Sequence, residues 1–142
     1  MSLEIFLQCY RNGDRATFKR ALAEEIFARH AINYSPPLLR VDYADGSGGE
    51  IYGADNGEDI PGLMCTHCGG ATFYDALYEL AHRTRSVIFW PSGKPMCAIT
   101  EGTAIGDINP GFREEPLGPP IVVKSGRELA LGIQQCLLAE NS

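Results

Sequence analysis

The stretch from Ala71 to Trp90 has the clearest pattern of apolar and polar positions in the chain. Apolar residues recur there at i, i+3, i+4, i+7 and i+8, the spacing that buries one face of a helix. These positions are Phe73, Ala76, Leu77, Leu80 and Ala81. A β-branched and aromatic run follows, from Ser86 to Trp90, and Pro91 ends it. The pattern predicts a helix with Thr72 as its N-cap, leading into a buried strand.

The chain before this helix alternates over shorter segments. Residues 3–9 predict a first strand, and the helical spacing of apolar residues over 17–29 predicts a first helix. Two extended segments, 38–43 and 50–53, flank a glycine-rich turn and predict a hairpin. Residues 60–66 then predict a further short strand.

The chain after the central strand predicts a second hairpin, a long loop and a last helix. A turn at 91–95 leads into a predicted strand at 96–100, whereas the proline- and glycine-rich segment 101–120 fits no long regular element. A strand is predicted at 121–123. Ser125 and Glu128 then have the spacing of a capping box that opens a helix. The residues expected to face inward from that helix are Leu129, Ile133, Cys136 and Leu137.

These elements together predict an α+β fold with a mainly antiparallel sheet and about three helices packed on it. A chain of 142 residues with 44% hydrophobic composition is long enough to bury a real core. We therefore expect one α+β domain over residues 1–142.

The cysteine content and the N-terminus predict a cytoplasmic protein. Five cysteines are an odd number spread along the chain, which is not typical of a secreted disulfide framework. There is no basic leader, no signal-type apolar run and no stretch of 18 apolar residues. We expect neither export nor a membrane span.

The net charge of −6 is concentrated in one segment. Six acids and no Lys or Arg lie between Val41 and Ile60, whereas the rest of the chain carries twelve acids and twelve bases. A local negative field repels nucleic acid and anionic membrane surfaces and speeds encounter with basic partners. The distribution therefore favours a basic protein as the partner and disfavours nucleic acid.

The same segment is the predicted partner-binding site. Two tyrosines flank the hairpin turn among the acids, and aromatic anchors with a polar rim suit a protein interface. The predicted site residues are Asp42, Tyr43, Asp45, Glu50, Tyr52, Asp55, Glu58 and Asp59. The alternative is a solvated acidic hairpin that has no partner.

Cys65-Thr66-His67-Cys68 is the sharpest local motif with chemical potential. Two thiolates three positions apart can share a metal or form a redox pair. A structural zinc site needs four ligands, and the chain has no second paired motif. Free thiols at a strand end are the third possibility. We therefore expect no metal and no cofactor.

The chain carries no recognisable catalytic constellation. The glycine run at 46–49 lacks the lysine and the following helix of a phosphate loop, and no serine lies in a Gly-x-Ser-x-Gly frame. A small, acidic chain of this kind, starting with the strand LEIFLQC, resembles the immunity proteins of bacterial polymorphic-toxin and type VI secretion systems. The resemblance implies binding to a cognate toxin, often a nuclease, and blocking of its active site. The alternative is a small metal- or thiol-dependent enzyme that uses Cys65 and Cys68 with His67.

Overall fold

The structure is a computed structural model that describes residues 4–35, 39–54, 57–91, 93 and 96–141. These residues form three helices packed with a mixed, mainly antiparallel sheet, which confirms the predicted α+β class. The helices are α1 Arg20–Ala28, α2 Ala71–Thr84 and α3 Gly126–Asn141. The strands are β1 Ile5–Arg11, β2 Asp14–Arg15, β3 Phe18–Lys19, β4 Ala31–Ser35, β5 Leu39–Tyr43, β6 Gly48–Tyr52, β7 Asp59–Ile60, β8 Gly62–Gly69, β9 Ser86–Phe89, β10 Cys97–Thr100 and β11 Ile121–Val123.

The main sheet has the strand order β11-β10-β9-β1-β8-β6-β5-β4, with β2 added alongside β1. Within the described ranges every strand pair is antiparallel except β10 with β11. The pairs β5–β6 and β9–β10 confirm both predicted hairpins. Strands β3 and β7 form a separate small ladder.

The two faces of the main sheet are covered differently. One face packs against all three helices and holds most of the core, including Leu7 from β1, Ile51 from β6 and Leu77 from α2. On the other face a smaller cluster joins β1, β9 and β10 to Ile108 and Phe112 of the segment 101–120. That segment contains short 3₁₀ turns and no long element, as its composition predicts. It packs on one half of the second face.

The N-terminal part of the chain differs from prediction at the start of α1 and in the strands β2, β3 and β4. Helix α1 starts at Arg20, because Lys19 is extended and pairs with Asp59 of β7 while the Arg20 amide donates to the Glu58 carbonyl. The edge strand β4 was not predicted. Its residues are half-buried or exposed and do not alternate in polarity, so an edge position leaves little trace in the sequence.

The last helix confirms the predicted capping box. The Ser125 hydroxyl accepts from the Glu128 amide at 3.1 Å, and the Glu128 carboxylate accepts from the Lys124 amide at 3.0 Å. Leu129 and Ile133 are buried, as is Cys136, whereas the side chain of Leu137 lies outside the described residues. None of the helices in the described ranges combines the length and the apolar content needed to cross a bilayer.

Candidate functional site

The predicted site residues separate into several environments. Asp42, Glu50 and Tyr52 lie on the side of the β5–β6 hairpin that faces away from the helices, because their strand neighbours Val41 and Ile51 are fully buried on the helix side. Asp45 lies in the turn, Tyr43 in the core, and Glu58 and Asp59 at the opposite end of β6. Asp55 lies outside the described residues. The acidic segment is therefore not one surface.

Asp45 joins the hairpin turn to the start of α2. Its carboxylate accepts from the Ser47 hydroxyl and amide at 2.5 and 2.9 Å, and from the Thr72 hydroxyl and amide at 2.7 and 3.2 Å. These hydrogen bonds hold the pKa of Asp45 well below its ordinary value, and the bond from the Ser47 hydroxyl has the largest effect. The prediction that Thr72 is the N-cap is wrong: Gly70 occupies that position, and the turn supplies the acceptors.

Ser47 and Gly70 allow the hairpin turn to pack closely against the start of α2. The Ser47 hydroxyl also accepts from the Phe73 amide at 3.3 Å, so it satisfies a second free amide of the first turn of α2. Gly70 has φ +94°, and a Cβ placed there would lie 2.1 Å from the Ser47 Cβ. Glycine is needed at this position both for its conformation and for the approach of the turn. Asp45 is therefore a structural capping residue.

Tyr43 is a core residue, which corrects its assignment as an interface anchor. Its side chain is 3% exposed, and its hydroxyl donates to the Phe27 carbonyl at 2.6 Å. Burial raises the pKa of Tyr43 well above the ordinary value for tyrosine. The residue anchors β5 to the end of α1 and is not available to a partner.

The residues at the far end of β6 also take part in local structure, Asp59 through its side chain and Glu58 through its backbone. Asp59 pairs with the exposed ammonium of Lys19 at 2.8 Å, and the Glu58 backbone carbonyl accepts from the Arg20 amide. The hydrogen bond that Lys19 donates to the Asp59 carboxylate is the main cause that raises the pKa of Lys19. A base from outside the acidic segment thus neutralises part of its charge.

The strands next to the hairpin complete a mixed apolar and polar surface, which we call the open face. It is the part of the second face that lies beside the cluster under residues 101–120. Its side chains are Phe6, Arg40, Asp42, Glu50, Tyr52, Met64, Thr66 and His67. Phe6 pairs in register with Met64, and Met64 with Tyr52, so an apolar row crosses β1, β8 and β6. In this row Phe6 and Met64 are half-buried, and Tyr52 is 38% exposed.

A polar row runs beside the apolar row, with Glu50 at its centre. Glu50 lies in register between Thr66 of β8 and Arg40 of β5. Its carboxylate accepts from the Tyr52 hydroxyl at 2.9 Å, contacts the Arg40 guanidinium at 3.4 Å and lies 3.7 Å from the His67 Nδ1. Arg40 also contacts Asp42 at 3.4 Å. The bond to Glu50 is the main cause that raises the pKa of Tyr52.

A β-bulge at His67 determines which way the cysteine motif faces. Between the pairs Gly48–Gly69 and Glu50–Thr66, β8 contains one residue more than β6, and His67 has φ +48°. Both Cys65 and Cys68 consequently contact the helix-side core. A Cβ on Gly49 would lie 2.6 Å from the Cys68 Cβ, so the bulge also requires glycine on β6.

The cysteine pair has the environment of core thiols. Burial raises the pKa of Cys65 well above its ordinary value and that of Cys68 to about 11. A nucleophilic or redox-active thiol needs the opposite shift. Within the described residues, no group of three or more His, Cys, Asp or Glu side chains is arranged to hold a metal ion.

A cleft of about 420 Å³ lies on the helix side, between the end of α1, the β5–β6 turn and α2. Three of its charged side chains already have partners: Glu79 contacts Arg29 at 3.0 Å and Arg83 at 3.5 Å, and Asp45 holds the turn, while Asp75 also lines the cleft. The open face combines partly exposed apolar side chains with a central carboxylate. It is therefore the stronger candidate for binding.

Sequence patterns alone could not assemble the open face. Phe6, Met64 and Arg40 come from three strands, and their proximity depends on strand order and register. The available signal was weak: Phe6 and Met64 are apolar at positions that alternate with core residues. No protein-family model, curated protein or solved structure matches the chain.

Proposed function

We propose that this chain is a protein-binding module that docks a basic protein on its open face. More specifically, we propose that it acts as an immunity protein, which binds a cognate toxin and blocks the toxin's active site. The observation that carries the proposal is the apolar row of Phe6, Met64 and Tyr52 beside the polar row centred on Glu50.

The composition of this surface supports a protein interface rather than a small-molecule site. Protein interfaces have partly apolar centres enriched in Tyr, Phe and Met, with a polar rim around them. The apolar row supplies such a centre on a sheet, where backbone hydrogen bonds fix the side-chain positions. A strand scaffold of this kind can bind with little loss of backbone freedom.

Charge supports a basic partner. The chain carries a net charge of −6, and on the open face the carboxylates of Glu50 and Asp42 outnumber the single guanidinium of Arg40. Attraction between a basic toxin and this surface accelerates association and weakens as salt is added. Covering a basic active site with such a surface would also keep the toxin's anionic substrate away.

The proposal is tested by capture with matched baits from a lysate of the source organism. The baits are the wild type, Met64→Lys on the open face and Leu131→Lys on α3, where Leu131 is 43% exposed. Lysine keeps an unbranched stem over the neighbouring side chains but repels a basic partner. We expect wild type and Leu131→Lys to capture the same basic protein and Met64→Lys to lose it.

The captured protein is then purified and tested for toxicity in cells. Co-expression of wild type or Leu131→Lys should restore growth, and co-expression of Met64→Lys should not. Circular dichroism and thermal melting check that each bait is folded, and Tyr52→Ala serves as a second open-face variant. Equal capture by all folded baits would remove the open face from the interface, and an innocuous partner would contradict the immunity role.

A further inference from the structure

His67 is the residue of the open face whose backbone conformation needs a functional explanation. The described chain has three non-glycine residues with positive φ: Asn12, His67 and Arg85. Asn12 lies in the turn after β1, and Arg85 ends α2 with its amide bonded to the Ala81 carbonyl. His67 has neither role. It lies within β8, where a glycine could form the same bulge with less strain.

The bulge gives His67 a prominent position. Its side chain is 68% exposed, and its Nδ1 lies 3.7 Å from the Glu50 carboxylate, whereas the flanking cysteines point to the core. Because the His67 side chain is mostly exposed, its packing offsets little of the free-energy cost of the backbone conformation. Strained residues that bring no packing benefit are concentrated at binding sites.

We infer that His67, Glu50 and Tyr52 form a receptor for the guanidinium group of an arginine on the basic partner, an inference that rests on the proposed function. The Glu50 carboxylate contacts both aromatic side chains, at 2.9 Å from the Tyr52 hydroxyl and 3.7 Å from the His67 Nδ1. A guanidinium can pair with the carboxylate and stack on a neighbouring ring at once. A lysine ammonium is more strongly hydrated and cannot stack in this way.

The contacts of Arg40 are weak enough for an arginine of the partner to replace it at Glu50. It contacts Glu50 and Asp42 at 3.4 Å each, longer than the 2.7–2.9 Å typical of a charged hydrogen bond. Its side chain is 56% exposed, so the contacts are weak and readily rearranged. When an arginine of the partner takes Glu50, Arg40 can keep Asp42 as its counter-ion.

The receptor can be tested without any partner by titrating ethylguanidinium chloride into the free protein and following aromatic NMR signals. Ethylammonium chloride at equal ionic strength is the matched salt. The stacked pair Tyr78 and His82 on α2 provides reference signals away from the open face. We expect the guanidinium salt to shift the His67 and Tyr52 signals at least twice as far as the ammonium salt, and Glu50→Gln to remove most of the difference. Equal shifts with both salts would contradict the proposal that these residues bind a guanidinium group.

His67→Gly separates a binding role from a structural one. Glycine relieves the positive φ, so we expect an unchanged or higher melting temperature, by up to about 3 °C, together with a lost guanidinium response at Tyr52. A lower melting temperature with the Tyr52 response intact would mean that His67 is structural. His67→Asn, which tolerates positive φ, provides a second variant if the glycine variant loosens the strand.

Capture with those baits, extended by His67→Gly and Glu50→Gln, distinguishes the two proposals. If Met64→Lys loses the basic partner but His67→Gly and Glu50→Gln retain it at wild-type affinity, the receptor is wrong and the docking face stands. If no folded bait captures a basic protein while the guanidinium response is selective, the receptor is upheld and the proposed function fails. We expect both His67→Gly and Glu50→Gln to weaken capture at least fivefold.

Discussion

The turn and the strands of the β5–β6 hairpin use carboxylates in opposite ways. At the turn, Asp45 receives four hydrogen bonds: the two from Ser47 shape the turn, and the two from Thr72 hold it against α2. On the strands, Glu50 has a single short hydrogen bond, from Tyr52, and longer contacts to exposed bases. The first carboxylate is committed to the fold, whereas the second has few strong bonds, which is why we propose it as the group that a partner's arginine engages.

The two tyrosines of the hairpin differ in the same way. Tyr43 donates its hydroxyl to a core carbonyl at 2.6 Å, and Tyr52 donates to Glu50 on the surface. They lie on opposite faces because β5 and β6 alternate about the sheet. Residue type and position near a turn therefore do not show whether a side chain can be reached by a partner; the face on which the side chain lies does.

The largest expected effect is at the N-cap of α2, where Gly70→Ala should disrupt the contact between the helix and the β5–β6 turn. The added Cβ would lie 2.1 Å from the Ser47 Cβ at a backbone conformation that is essentially glycine-only. Strain and displacement together should cost about 3 kcal/mol or more of unfolding free energy. Urea denaturation measures this loss.

Gly46→Ala is the matched control for that prediction. Gly46 also has positive φ, at +85°, but a Cβ there would meet nothing within 4 Å. We expect a loss of about 1–2 kcal/mol, from backbone strain alone. Equal losses for the two variants would mean that the close approach of Ser47 to Gly70 contributes nothing.

Tyr43→Phe and Tyr52→Phe should separate stability from binding. Removing the buried Tyr43 hydroxyl leaves the Phe27 carbonyl without its donor and should cost about 1–2 kcal/mol, with partner capture unchanged. Tyr52→Phe should leave the melting temperature unchanged and weaken capture, because Glu50 loses its hydroxyl donor. The reverse pattern would contradict the assignment of Tyr43 to the core.

The sequence was sufficient for elements whose side chains repeat with a clear period. Helix α2 was predicted because burial of one face dictates its residues, and strand β9 because it is a continuous run of mostly buried residues. The capping box of α3 was predicted because its two side chains are only three positions apart. The cap of α2 was not predictable, because its acceptors come from Asp45 and Ser47, over twenty residues away. The open face was missed for a similar reason: cross-strand register, not local sequence, brings Phe6 beside Met64.

Acidification should reveal the role of Asp45. Because its native pKa is lowered, the unfolded chain binds the proton more readily, so the stabilisation is complete above the ordinary pKa of 3.8 and is lost as the pH falls below it. Asp45→Asn should therefore be less stable than wild type at pH 7, with the gap narrowing below pH 3.8. Thr72→Val, which removes one donor, should show part of this change. Parallel stability curves for wild type and Asp45→Asn in acid would contradict the capping role.

The smallest effect on stability is expected at Arg40, whose removal should instead change association with the partner. Its contacts are long and exposed, so Arg40→Gln should alter unfolding free energy by no more than about 0.5 kcal/mol. Loss of the cation leaves Glu50 and Asp42 unopposed, so association with the basic partner at low salt should be roughly two- to fivefold faster. Arg29→Gln on the helix side makes the same change in net charge away from the open face. If stopped-flow kinetics show the same acceleration for both variants, overall charge and not the open face steers the partner.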